Sequence, residues 1–432
     1  MSKNKSPHVN LNLNVRGLPL SATLRINELS NRLIAEGRQV YKFGLGQSPF
    51  PVPAVVEQEL RSHAWQKDYL PVMGLAELRS AVSEYLSRTQ GVSFSPDSIM
   101  IGPGSKELMF ILQLVYYGDL VIPTPSWVSY APQAHIIGRH IHWLPTEARN
   151  QWKVTPEALE ALCHADPERP RLLILNYPAN PHGYSYNERE LKAIARVARK
   201  YRIVLLSDEI YGEIDFHGRH VSIARFYPEG TIISGGLSKW CGAGGWRLGV
   251  FAFPNGMEWL RDAMATVASE TYTSTSAPIQ HAAIRAFRGG NEIEHYLAQS
   301  RRILAALAEQ VVAILAEAGV RLPMPHGGFY VFPDFAPLAE TLAARGIRGS
   351  TALCERVLEE TGVAFLPGSA FGRPEAELTA RLAFVDFDGA RVLSAADAVA
   401  ADQPLDRVFM TSYCPKVITG MERLRDWLAG GP

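Results

Sequence analysis

Cysteine is sparse in this chain, and its four copies are widely scattered. Cys163, Cys241, Cys354 and Cys414 form no CxxC pair and no Cys/His metal spacing, which excludes a zinc module or a disulfide scaffold. Scattered thiols of this kind fit a reducing compartment. Net charge is also absent: 43 basic residues balance 43 acidic ones. Nothing therefore draws the whole chain to nucleic acid or to an anionic membrane. Long apolar runs are missing too. The nearest, Phe110 to Tyr117, is stopped by Gly118-Asp119, well short of the roughly 18 residues that span a bilayer. The opening MSKNKSPHVNLNLNV lacks the apolar core of a secretory signal. The expectation is a soluble, cytoplasmic protein without a membrane or nucleic-acid partner.

What is present is an ordinary globular composition over 432 residues, 47% hydrophobic and 20% charged. That length accommodates two or three domains and a core needing no metal or disulfide staple. From about residue 97 to 253, short apolar runs alternate with helical patterns. The runs are SIMI (98–101), LVIP (120–123), RLLILN (171–176), RIVLLSDE (202–209), TIIS (231–234) and LGVFAF (248–253). Continuous Val/Ile/Leu runs read as strands buried on both faces of a mostly parallel sheet. The intervening helix at 188–201 has Asn187 and Glu190 as a capping box. Ser21 reads as the N-cap of a first helix that Gly37 closes, and a helical pattern covers 54–63. Beyond residue 290 the pattern changes to long helices, first at 295–319 and last from Pro415. The expected fold is α/β, with a second, smaller α+β domain. The expected boundaries are 1–50 for an N-terminal arm and part of the small domain, 51–290 for the large domain, and 291–432 for the remainder.

In an open α/β sheet, ligands sit beyond the carboxyl ends of the strands, and the unusual residues gather at those ends. IGPGSKEL (101–108) is a strand, a Gly turn and a helix start, where free backbone N–H groups can hold an anion. PTPSWVSY (123–130) places Trp127 just past a strand end. NYPANPHG (176–183) is a rigid turn presenting amides. Asp208, in SDEIYGEIDF, closes a buried strand, where an ionised carboxylate needs a cationic partner. SGGLSKWCGAGGWRLGV (234–250) sets Lys239 in a Gly-rich turn between apolar strands. Burial there lowers a lysine's pKa and makes it nucleophilic towards carbonyls. Arg247, eight residues on, can grip a phosphate with two parallel hydrogen bonds.

Together these segments resemble the class I/II aminotransferases, fold-type I enzymes dependent on pyridoxal 5′-phosphate (PLP). The order matches over about residues 41–384: a Gly-Ser-Lys loop, Pro-x-x-Trp, Asn-x-Pro-x-Asn-Pro-x-Gly, Asp-Glu-x-Tyr, Ser-Lys with Gly-Trp-Arg, and a late Arg. The resemblance implies a three-layer αβα sandwich and an amino-group transfer between an L-amino acid and a 2-oxo acid. It implies that Lys239 carries PLP as a Schiff base and moves the proton at the substrate α-carbon. Asp208 would partner the pyridinium nitrogen, keeping the ring an electron sink. Tyr211 and Asn180 would bond the ring 3′-oxygen, and Trp127 would stack on the ring. The turn at Gly104, the backbone amides of Ser105 and Lys106, the Ser238 hydroxyl and Arg247 would hold the phosphate. Tyr69 matches a tyrosine that reaches the phosphate of a neighbouring subunit, implying a homodimer with shared sites. Arg381 would bind the substrate α-carboxylate, with Asn180 and the backbone of Gly46 close by.

Several positions depart from the family pattern. His182 stands where Thr is usual, and Gly236 stands where a phosphate-binding serine is frequent. Gly46-Gln47-Ser48-Pro49-Phe50 replaces Gly-Glu-Pro-Asp-Phe. About thirty extra residues precede Pro415, an insertion around 385–413 that reads equally as a lid or as an external decoration. No arginine lies in 270–280, which disfavours an enzyme restricted to aspartate and glutamate. Another PLP reaction on the same fold (elimination or γ-replacement, cyclisation, oxidation or carbon–carbon bond formation) is the second reading. A non-catalytic PLP-binding regulator is the third, and it lacks the basic recognition helix such a protein would need.

Overall fold

Seven strands form the central sheet of the computed structural model, which describes residues 10–18 and 20–431. In chain order they are β1 (Ile99–Gly102), β2 (Asp119–Thr124), β3 (Ile141–Pro145), β4 (Arg171–Asn176), β5 (Val204–Asp208), β6 (Thr231–Gly236) and β7 (Gly249–Ala252). Their spatial order is β1-β7-β6-β5-β4-β2-β3, with only β7 antiparallel to its neighbours. Six of the seven coincide with the apolar runs of the sequence. Their side chains are buried on both faces because helices cover the sheet on both sides. The seventh, β3, reads IHWLP and escapes that pattern. It lies at the sheet edge against β2 alone, with Ile141 and Leu144 buried and Trp143 left 42% exposed. An edge strand that sends one apolar residue into the core on each face has no continuous apolar run to betray it.

The helices that matter for the site are α1 (Ala22–Ala35), α2 (Ser105–Val115), α3 (Glu188–Lys200), α4 (Asn291–Glu317), α5 (Gly389–Asp397), α6 (Arg407–Tyr413) and α7 (Pro415–Leu428). Asn187 and Glu190 do form a reciprocal capping box on α3, a device worth about 1 kcal/mol. Ser21 differs from expectation: its hydroxyl pairs with that of Thr23 at 2.8 Å and caps nothing. Helix α4 starts four residues earlier than the apolar pattern, because Glu292 and Glu294 favour the positive end of the helix dipole. The buried stripe of α7, including Val417, Ile418, Met421, Leu424 and Leu428, packs on α4.

A smaller unit follows the main sheet. Tyr330–Val331, Leu366–Pro367 and Ala380–Ala383 make a three-stranded antiparallel sheet. Tyr41–Lys42 runs parallel to Val363–Ala364, so an N-terminal segment joins C-terminal structure. That pairing leads residues 43–51 across towards the carboxyl edge of the main sheet. Among the described residues, no helix is long and apolar enough to cross a membrane.

Candidate active site

Strand register brings the first site residues together. Asn176 lies opposite Asp208, and Asp208 lies opposite Ser234, at the carboxyl ends of β4, β5 and β6. Asp208 is 3% exposed. It accepts a 2.5 Å hydrogen bond from the Tyr130 hydroxyl and a longer one from the Ile210 amide. Burial pushes its pKa up to about 6, while those two donors pull it back.

Lys239 follows β6 through a tight turn. Its ammonium donates to the Gly46 carbonyl at 2.8 Å and lies 5.6 Å from the ring centres of both Tyr211 and Phe329. Desolvation, then the positive charge of Arg381, lowers its pKa to about 8, against the pull of Asp208. Gly46 cannot carry a side chain here, since a Cβ would overlap the Tyr330 hydroxyl. That hydroxyl shares a 2.9 Å hydrogen bond with Tyr211.

Arg381 projects from the small sheet into the same cleft and is 1% exposed. One guanidinium nitrogen donates to Asn180 Oδ1 at 3.3 Å, and the other to the Gly44 carbonyl. Its plane lies over Tyr330, 4.7 Å away, and near Phe371 at 5.0 Å. Its Nε is buried without an acceptor among the described residues. Asn180 is itself buried and donates its amide N–H to Asn176.

Asp208, Lys239 and Arg381 therefore share one cleft, yet none has a counter-ion within 4.0 Å among the described residues. Uncompensated buried charge costs several kcal/mol, so the arrangement is built for a ligand rather than for stability.

The far end of the cleft is wetter. Gly104, at φ +88°, turns β1 into α2, and a Cβ on it would overlap the Arg247 guanidinium. The backbone amides of Ser105 and Lys106 open α2 without a backbone acceptor. Arg247 and Lys106 are exposed, and Ser238 is half-buried. Lys106 sits 5.1 Å from the Trp127 ring, and Arg247 helps to lower its pKa after desolvation. Trp127 meets Tyr130 edge-on at 5.3 Å. Tyr69 is 88% exposed.

Two residues went unnoticed in the sequence. Tyr130 ends the PTPSWVSY motif that drew attention to Trp127, and Tyr330 follows the Gly327-Gly328 pair. Two of the departures from the family pattern acquire a physical cause. Gly236 adopts φ +152°, where a Cβ would come within 2.6 Å of the Leu248 carbonyl, so serine does not fit this backbone. His182 is buried, accepts from the Tyr184 amide and stacks on the Tyr184 ring. Desolvation drives its pKa down to about 3, keeping it neutral.

Known proteins resemble this chain over most of its length. The family model "Aminotransferase class I and II" matches residues 38–394. An aspartate aminotransferase of Bacillus subtilis is 33% identical, over 84% of this chain and 91% of its own length. An asparagine–oxo-acid transaminase of Streptococcus mutans is 31% identical, over 82% and 90%. Among solved structures, an aspartate aminotransferase from Thermus thermophilus with maleate superposes with a TM-score of 0.81 and 26% identity. It covers 97% of this chain and 99% of its own. An aromatic aminotransferase from Pyrococcus horikoshii reaches 0.75 at 27% identity, covering 93% and 99%.

Proposed function

Since the chain belongs to the aminotransferase class I and II family, we propose that it moves amino groups between an L-amino acid and a 2-oxo acid using PLP held at Lys239. The observation that carries this reading is the trio of unpaired charges in one cleft. A cofactor with a cationic ring nitrogen, an aldehyde and a phosphate, joined by a substrate carboxylate, answers every one of them. PLP, when bound, supplies an electron sink that stabilises negative charge at the substrate α-carbon.

The chain's own groups do the rest. Asp208 holds the ring nitrogen in its protonated form. Arg381 grips the α-carboxylate as a fork and orients the Cα–H bond. Lys239, its amine largely neutral above pH 8, takes and returns the proton at that carbon. Asn180 and Tyr211 would donate to the ring oxygen. Gly104, Ser105, Lys106, Ser238 and Arg247 would receive the phosphate, whose dianion suits a helix start flanked by two cations. Trp127 would supply an aromatic face for the ring. Tyr69 faces outward, as a residue completing the site of a second copy would, and the reading is of a cytoplasmic homodimer.

The test is direct. Purified protein is supplied with PLP, 2-oxoglutarate and one amino acid at a time, beginning with aspartate because several relatives are named for it. The expected result is stoichiometric glutamate. Consumption of an amino acid without amino transfer to any 2-oxo acid would overturn transamination.

A further inference from the structure

The insertion at 385–413 is firmly docked. Arg302 on α4 donates to four carbonyls at the end of α5 and beyond, those of Ala396, Val399, Ala400 and Gln403. Val392, Ala396 and Met410 are fully buried. A segment held this way does not open and close as a lid.

Its leading end reaches the catalytic cleft through one intermediary. Asp386 accepts from the Lys42 amide at 3.0 Å, and the Phe387 ring meets Phe50 edge-on at 5.8 Å. Gly389 lies so close to the chain at 49–50 that a Cβ would overlap the Pro49 carbonyl. A Cβ at Gly242 would likewise overlap the Phe50 carbonyl of that segment. Gly242 lies three residues beyond Lys239. Residues 49–51 are thus in close backbone contact with both the insertion and the lysine turn. A few residues upstream, the same strand of chain offers its Gly44 carbonyl to Arg381 and its Gly46 carbonyl to Lys239.

We propose that the insertion is a fixed brace that sets the Gly44 and Gly46 carbonyls against Arg381 and Lys239, with Gly389 and Phe387 as its positioning residues. The proposal rests on Lys239 being the cofactor lysine. A carbonyl acceptor favours the charged ammonium, so pushing the segment away makes Lys239 neutral at lower pH. The other groups facing Lys239 are Asp208, Arg381, Arg247, Lys106 and the Tyr211 phenol. All five belong to elements outside the brace.

The experiment compares full-length Gly389→Ala and Phe387→Leu with the unaltered protein and with Val408→Ala, an exposed change on α6. The pH midpoint for capture of PLP by cofactor-free protein is read from the visible band of lysine-linked cofactor. KM for the amino acid is measured alongside. The expected result is a midpoint lower by at least half a unit and a KM raised about fivefold in the brace variants, with Val408→Ala unchanged. Should Gly389→Ala fail to fold, the milder Phe387→Leu decides alone. Midpoint and KM both unchanged in a folded brace variant would overturn the proposal. Absence of the band in the unaltered protein would instead overturn the cofactor reading itself.

Discussion

Asp208 and Arg381 at the inner end of the cleft are buried and Lys239 beside them is half-buried, whereas Arg247 and Lys106 at the outer end are exposed. At the inner end, burial is the largest cause of every perturbed proton affinity, bringing a carboxyl up to about 6 and an amine down to about 8. Low local polarity also makes each hydrogen bond there strong. At the outer end, backbone amides and exposed cations wait on a helix start, and salt screens them. The contrast teaches a division of labour. Under the proposed function the inner end would set protonation states for chemistry and the outer end would supply attraction for an anion, with Gly236 offering one side-chain ligand fewer than the family habit.

The largest expected effect lies at the inner end. Lys239→Ala should abolish the visible band of lysine-linked cofactor. It should also lower transamination by roughly 10³-fold or more, since it removes both anchor and proton carrier. Stopped-flow or steady-state assay of glutamate formation measures it. Arg381→Lys comes next. Loss of the two-pronged grip should raise KM about 10²-fold while changing kcat much less, a loss of about 2–3 kcal/mol of charged hydrogen bonding. An equal fall in kcat with KM unchanged would move Arg381 out of carboxylate binding.

The outer end should respond differently. Arg247→Lys keeps the charge but loses the planar fork. We expect cofactor affinity to drop about 10-fold at low salt, with the affinity of the unaltered protein falling as salt rises to 1 M, where screening acts over only about 3 Å. The inner variants should show little salt dependence. Equilibrium titration of PLP at two ionic strengths breaks or sharpens the contrast: a salt-insensitive outer end would erase it.

Much of this is legible in the sequence. Strands buried on both faces advertise themselves as unbroken Val/Ile/Leu runs, and β4 and β5 end at Asn176 and Asp208 as those runs imply. Residues whose role depends on a single crossing were not legible. Tyr130 reaches Asp208 across 78 positions, and Tyr330 meets Tyr211 across 119; no local spacing encodes either approach. The insertion was ambiguous for the same reason. Its composition fits a lid and an external decoration equally, while its meaning lies in the fit of Gly389 against Pro49. Gly236 reads in the sequence as a lost ligand; only its backbone conformation shows that serine would strain the turn.

The smallest expected effect tests the inner end most finely. Tyr130→Phe removes the hydroxyl that donates to Asp208 while keeping the ring that packs against Trp127. That donor favours the ionised carboxylate, so without it the Asp208 pKa should climb from about 6 by about one unit, the size of one hydrogen bond to a charged group. The sign follows from which form binds the cofactor. Ionised Asp208 attracts a protonated ring nitrogen and neutral Asp208 does not. In the unaltered protein, cofactor affinity should therefore weaken as pH falls through about 6; in Tyr130→Phe the weakening should begin about one unit higher. At pH 6.5 the variant should bind PLP several-fold less tightly, and at pH 9, where Asp208 is ionised in both, the two should converge. A loss of equal size at both pH values would mean that Tyr130 acts by packing alone, and that burial sets the proton affinity of Asp208 without its help.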